Sequence, residues 1–195
     1  MIAYTLFHFA FFTVLEANVD SDEAYVIHCK LDDYIPFCEY FIVPYLLWFL
    51  YIPAVLFFLV FKDIDSFWKM TAMMFGGNII CLTLYAIFPN TVEAKLMVEE
   101  TNIFAIMVNA LYESDTPTNV CPSMHVLDTF AAHIALCRST LFRKLSFVKI
   151  FSFIFLVLIC IATVTLKQHS IIDVFASFVL IFILYKAAYR KKKKA

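Results

Sequence analysis

The chain has 195 residues, of which 63% are hydrophobic and only 16% charged, with a net charge of −1. A soluble globular domain runs nearer ~45–50% apolar and ~25% charged, so the composition excludes an ordinary water-soluble protein. Glycine occurs only at positions 76 and 77, which argues against a β-rich or loop-rich fold.

The apolar excess comes in blocks. Residues 2–15, IAYTLFHFAFFTVL, form the first, which is short for a crossing helix and carries His8. That length suits an interfacial or re-entrant segment as well as a span. No basic residue precedes it, so it does not read as a cleaved signal peptide. The connection 17–40 mixes acids with Tyr25, Val26, Leu31, Tyr34, Ile35 and Phe37. Residues 41–61, FIVPYLLWFLYIPAVLFFLVF, carry no charge over 21 positions and read as a span, apolar all round. Residues 68–88 form another, with Asn78 inside it.

The connection 89–119 holds a helical pattern. Ile103, Met107, Ala110 and Leu111 share one face, with Phe104 and Ile106 beside it. Such a helix suits the headgroup layer or packing on its own bundle; SDTPTN at 114–119 then ends it. Spans at 124–137, 148–166 and 170–189 complete the expected fold. It is an all-α polytopic bundle of about six transmembrane helices, a single membrane domain over 1–195 with a basic tail at 190–195.

Charge orients the bundle. Twelve of the 15 basic residues fall on one side: Lys62, Lys69, Arg138, Arg143, Lys144, Lys149, Lys186 and Arg190 to Lys194. The other side holds Lys30, Lys95 and Lys167 with twelve acids, among them Asp32, Asp33, Glu39, Glu99, Glu113 and Asp115. Basic loops stay cytoplasmic, so both termini are expected inside and the acidic loops outside. The six cysteines show no CxxC spacing and read as small apolar side chains, with a disulfide among Cys29, Cys38 and Cys121 left open.

Polar and ionisable groups inside a bilayer are costly and therefore candidates for function. The set is His8, Asn78, His125, Asp128, His133, Lys167, His169 and Asp173. Two clusters face the same side: PSMH at 122–125, opening one span, and KQHSIID at 167–173, opening another. His169 and Asp173 are spaced i, i+4 and share a helical face. An Asp there accepts a hydrogen bond from one ring nitrogen and makes the other more basic, the arrangement of an activated nucleophile. His125 supplies a second imidazole, able to protonate a leaving group. Lys167, the Ser123 hydroxyl and two helix starts make an anion site suited to phosphate. Asp128, three residues after His125, orients it or pairs with another helix; His133 reads as a satisfied interior histidine.

These residues carry a resemblance. The string Asp115 through His125, D-x-P-x-N-x-x-P-S-x-H, together with KQHSIIDV, resembles the type 2 phosphatidic acid phosphatase superfamily. The branch it is most similar to contains inositol phosphorylceramide synthases and their bacterial relatives. The resemblance implies that His169 is the nucleophile, Asp173 its partner and His125 the general acid. It implies no metal or other cofactor, and a phosphohistidine intermediate. Met124 stands where many members have Gly, and its N–H still serves as an anion donor. Ala162 and Thr163 occupy the Ser-Arg positions of the third motif, leaving Lys167 as the nearby cation. The first motif, YAIFPNTVEAK at 85–95, lacks Arg-Pro and offers only Lys95.

The expected activity is metal-independent phosphoryl chemistry on a membrane lipid, as a phosphatase or a headgroup transferase. The expected setting is the plasma membrane of a bacterium with the site facing out, and the partners are the bilayer and a lipid substrate, not nucleic acid. A proton-relay transporter using Asp128 and His133, or a catalytically degenerate member of the family, are the rival readings.

Overall fold

The computed structural model describes residues 10–15, 18, 24–92, 98–115 and 118–190. Among these, α1 spans Ile42–Lys62, α2 Ile64–Ile87, α3 Ile103–Ser114, α4 Met124–Arg138, α5 Ser146–Thr165 and α6 Ile171–Ala188. Four of them, α1, α2, α5 and α6, are long and apolar enough to cross a membrane. Their outward faces carry large apolar side chains, such as Leu50, Phe57, Phe61, Phe153 and Phe175, each more than half exposed. Apolar exposure on that scale marks a lipid-facing surface.

Of the first expected span, residues 2–9 lie outside the described residues. Residues 10–15 are helical, and Phe11, Phe12 and Leu15 pack against the main core. Lys95, Glu93 and the tail 191–195 also lie outside the described residues.

Helix α4 is the centre of the bundle and packs on α1, α2, α5 and α6. Its alanines explain the position: Ala131, Ala132 and Ala135 are fully buried, and small residues let neighbouring backbones approach closely. At 15 residues it is ~22 Å long, shorter than the ~30 Å hydrocarbon core. Gly77 on α2 serves the same close approach. A Cβ there would lie 2.6 and 2.8 Å from the two Leu127 methyls and 3.1 Å from Leu184. Gly77→Ala should therefore lower the stability of the detergent-solubilised protein by about 1–3 kcal/mol, read as a fall in its thermal midpoint. Gly76, whose nearest neighbour would be 3.6 Å away, should tolerate the same change.

Only Asp63 separates α1 from α2. Its carboxylate accepts the Ser66 N–H at 3.1 Å and the Ser66 hydroxyl at 2.9 Å, capping α2. The Ser139 hydroxyl donates to it at 2.6 Å, which ties this corner to the α4–α5 connection. At the opposite end the connections form a cover. A two-residue parallel pair joins β1 (Tyr25–Val26) to β2 (Asn90–Thr91), and Cys38 N–H donates to Thr165 O at 3.3 Å at the end of α5.

Helix α3 packs on the bundle. Val108 and Leu111 join Ile42, Tyr45, Ala162 and Leu166 in a second core. Its buried face is Ala105, Val108 and Leu111, while Ile103 and Ile106 are exposed. Of the face expected from Ile103, Met107, Ala110 and Leu111, Leu111 is buried and Met107 packs on the second core, while Ile103 and Ala110 are exposed. The run IFAIMV is apolar on every side, so periodicity does not choose the face; docking against α1 and α5 does. All six cysteines are free thiols.

Candidate active site

The turn between α5 and α6 builds one half of the site. Gln168 N–H and His169 N–H both donate to Thr163 O at 3.0 Å, and Lys167 N–H to Val164 O at 3.2 Å. Lys167 has a φ of 54°, left-handed backbone that costs a non-glycine residue about 1–3 kcal/mol and persists only where neighbours hold it. Its ammonium donates to Asp32 O at 3.0 Å and Ile35 O at 2.7 Å. Lys167 is thus engaged with the connection that precedes α1, and its charge is directed at carbonyls there.

Asp32 answers from the other side. Its carboxylate accepts the Ser170 hydroxyl at 2.6 Å, the Ile171 N–H at 2.9 Å and the Cys29 N–H at 2.8 Å. An acid at the start of α6 also complements the helix dipole. Burial raises the Asp32 pKa, but these hydrogen bonds outweigh it and hold the carboxyl below its ordinary value of 3.8. A depressed pKa means stability that is present above pH ~4 and lost as pH falls through the folded value. The thermal midpoint of the wild type should exceed that of Asp32→Asn by a constant margin from pH 7 to about 5. The margin should shrink below pH ~4, as the Asp32 carboxylate takes up its proton.

Asp173 does two jobs. Its Oδ2 accepts the Ser170 N–H at 3.0 Å, one arm of a capping box on α6. The same oxygen lies 3.2 Å from His169 Nδ1. Asp173 is fully buried, and the His169 side chain nearly so. With Nδ1 donating to Asp173, Nε2 keeps its lone pair and faces away from the carboxylate.

The start of α4 is stitched to this turn. Ser123 N–H donates to Asp173 O at 3.4 Å. The Ser177 hydroxyl lies 2.9 Å from Ser123 O and 2.8 Å from Asp173 O. These contacts bring the rings of His125 and His169 to a centroid separation of 5.9 Å, although 44 residues separate them in sequence. Ser123 is buried and its hydroxyl caps α4 through the Val126 N–H at 3.5 Å. Met124 lines the cleft with both histidines.

Aromatic rings wall His125. Tyr45, Trp48 and Phe49 of α1 have centroids 4.7, 4.5 and 6.3 Å from it. The Tyr45 hydroxyl donates to Asp115 at 3.0 Å. The Asp115 end of the motif thus reaches the His125 pocket through a ring. Tyr45 and Trp48 were not legible as site residues, since Tyr and Trp toward the end of a span are also ordinary interfacial anchors.

The stretch lacking Arg-Pro contributes neutral groups. Asn90 Oδ1 accepts the N–H groups of Val120 at 2.9 Å and Cys121 at 2.8 Å, and Tyr85 donates to Pro122 O. Both shape the segment entering PSMH. Burial, and then the nearby Asp173 carboxylate, push the Cys121 thiol up to about 12, so it stays protonated and is no competing nucleophile.

Asp128 and His133 turn to different neighbours. Asn78 donates to Asp128 at 3.4 Å across α2 and α4. His133 Nδ1 lies 3.0 Å from Ser152 Oγ, which in turn lies 2.9 Å from the Tyr51 hydroxyl. His28 lies 2.7 Å from Asp33 in the exposed connection; His8 is outside the described residues.

The cleft itself is small, about 30 Å³, and is bounded by Tyr85, Asp115, Asn119, Met124, Gln168 and the two histidines. A separate apolar groove of about 660 Å³ runs between α4, α5 and α6, from Ile35 and Ile171 to His133 and Phe153. Among the described residues no three His, Cys, Asp or Glu side chains gather as a metal-ligand set. A mostly helical membrane-type bundle with a paired-imidazole cleft under its loop cover is the class that fold and site define. No family model, curated protein or solved structure matches the chain.

Proposed function

We propose that this protein catalyses phosphoryl transfer from an esterified lipid phosphate, with His169 as nucleophile, in the manner of the type 2 phosphatidic acid phosphatases that its motifs resemble. The observation that carries the reading is the convergence of the two imidazoles, 5.9 Å between ring centroids, with Asp173 on the far side of His169.

In the first step His169 Nε2 attacks phosphorus and the P–O bond to the alcohol breaks. A protonated His125 gives its proton to the departing oxygen. Asp173 holds the Nδ1 proton and stabilises the charge that develops on the ring. In the second step neutral His125 takes the proton of an incoming hydroxyl, whose oxygen attacks phosphorus as the P–N bond breaks. The Met124 N–H, near the start of α4, is a donor for phosphoryl oxygens. Hydrolysis, with water as the second nucleophile, is the favoured outcome; an alcohol acceptor gives headgroup transfer by the same chemistry.

The positive-inside rule, applied to the basic connections, favours a site on the outer face and both termini in the cytoplasm. Lipid reaches the site from the bilayer, and the plasma membrane is the setting this orientation suits. The experiment is a product assay on vesicle-reconstituted protein with radiolabelled phosphatidic acid and glycerophospholipids. Release of free phosphate supports a phosphatase. A labelled headgroup appearing on a new lipid, without free phosphate, replaces hydrolysis by transfer. Neither product from any lipid phosphate sinks the proposal.

A further inference from the structure

Among the described residues, the cleft that holds the two histidines is lined by no lysine or arginine. Lys167, the nearest cation in sequence, donates to the carbonyls of Asp32 and Ile35. The cleft does hold unpartnered amides. Asn119 is 4% exposed and Gln168 2% exposed, and both line the cavity. Neither Asn119 Nδ2, Asn119 Oδ1 nor Gln168 Nε2 has a hydrogen-bond partner. Burying an amide without a partner is costly and calls for an explanation.

Local structure supplies none. The turn at Asn119 is held by its backbone N–H on Asn90 O at 2.6 Å and by the Asn90 side chain. Its φ of 58° requires a residue tolerant of left-handed backbone, which Asn is, but uses no side-chain bond. The turn at Gln168 is held by its backbone N–H on Thr163 O and by the Lys167 anchor. Both residues therefore line the cleft beside the two histidines with buried side-chain donors unused.

Resting on the phosphoryl reading above, we infer that Asn119 and Gln168 form a neutral amide clamp that donates to the phosphoryl oxygens of the bound ester between His125 and His169. The two NH₂ groups occupy the place that a cationic side chain would otherwise fill. Preorganised donors in a water-poor cleft stabilise an oxyanion without a full positive charge.

The test uses the full chain in detergent, with orthovanadate as a trigonal-bipyramidal phosphoryl mimic. Binding is followed by ⁵¹V NMR and thermal midpoints are recorded for every variant. Wild type should bind and His169→Ala should not. Gln168→Glu and Asn119→Asp replace a donor by an anionic oxygen at nearly constant shape. Each should weaken vanadate by at least about tenfold, the scale of one charge-assisted hydrogen bond, with little change in midpoint. Where Asn119→Asp does not fold, Asn119→Gly keeps the left-handed backbone, removes the donor and is judged by the same criterion. Folded variants that bind vanadate as wild type does would overturn the clamp and leave the phosphoryl reading standing. Wild type that neither binds vanadate nor forms a phosphohistidine overturns both.

Discussion

Replacing His169 by alanine should lower phosphoryl turnover by roughly 10⁴-fold or more, the scale seen when a covalent nucleophile is removed. The covalent phosphoenzyme should vanish with it. The fold should survive, because the turn that carries His169 does not depend on the ring. The Thr163 carbonyl, the Ser170–Asp173 box and the Asp32 contacts are all made by other atoms. The measurement is incubation with ³²P-labelled lipid phosphate, an alkaline detergent quench, and a count of acid-labile, alkali-stable label on the protein. His125→Ala separates the two rings. Without a general acid, a lipid alkoxide is a poor leaving group, so turnover of natural esters should fall by about 10²–10⁴-fold. A nitrophenyl phosphate ester, whose leaving group needs no proton, should restore phosphoenzyme formation in His125→Ala but not in His169→Ala. Restoration in both, or in neither, would remove the assigned division of labour.

Much of the architecture was visible in the chain because a span advertises itself locally. The block 41–61 was expected and α1 runs Ile42–Lys62; 148–166 was expected and α5 runs Ser146–Thr165. Uninterrupted apolar composition is enough for that. The start of α4 was visible for a different reason: Pro-Ser before an apolar run is helix-entry chemistry, and Ser123 does cap α4. The meeting of His125 with His169 was anticipated from two helix starts on one side of the bundle. The Ser123–Asp173 and Ser177–Ser123 contacts that bring it about were not.

What stayed hidden is long-range. Asp32 reaches Ser170 across 138 positions, and Lys167 reaches Ile35 across 132. No periodicity encodes such pairs. In sequence Lys167 looked like a phosphate clamp because it stands two residues from His169; in space its long stem carries the ammonium to the connection before α1. Asn90 was hidden for a related reason. It sits in the stretch that lacks Arg-Pro, and a neutral amide carries no charge to mark it there. Its side chain nevertheless holds the backbone at Val120 and Cys121, just before the Pro-Ser-Met-His segment. Gln168 and Asn119 lay inside the motifs in plain view, but only burial without partners sets them apart from ordinary turn residues.

Asp173→Asn should be nearly as damaging as loss of the nucleophile, and for an instructive reason. The asparagine is isosteric, and its carbonyl oxygen can still accept the Ser170 N–H that closes the capping box. Helix α6 should therefore keep its start, and the thermal midpoint should change little. The conflict falls at His169. In wild type one carboxylate oxygen receives both the Ser170 N–H and the His169 Nδ1 proton. An amide oxygen in that place can take both bonds but is neutral, so the charge that develops on the His169 ring loses its counter-charge; with the amide turned the other way, the NH₂ meets Nδ1 instead. A donor facing Nδ1 favours the tautomer with its proton on Nε2, the atom that must attack phosphorus. Replacing the buried carboxylate of a histidine-orienting pair by an amide costs about 10⁴ in turnover where that logic has been isolated, and a loss of 10³–10⁴ is expected here. Asp173→Ala should differ in a diagnostic way, since it also removes the cap and should cost about 1 kcal/mol of stability. Two variants with matched losses of turnover but different midpoints would assign Asp173 both roles. An Asp173→Asn protein that turns over at the wild-type rate would reduce the acid to a helix cap and leave His169 without its orienting partner.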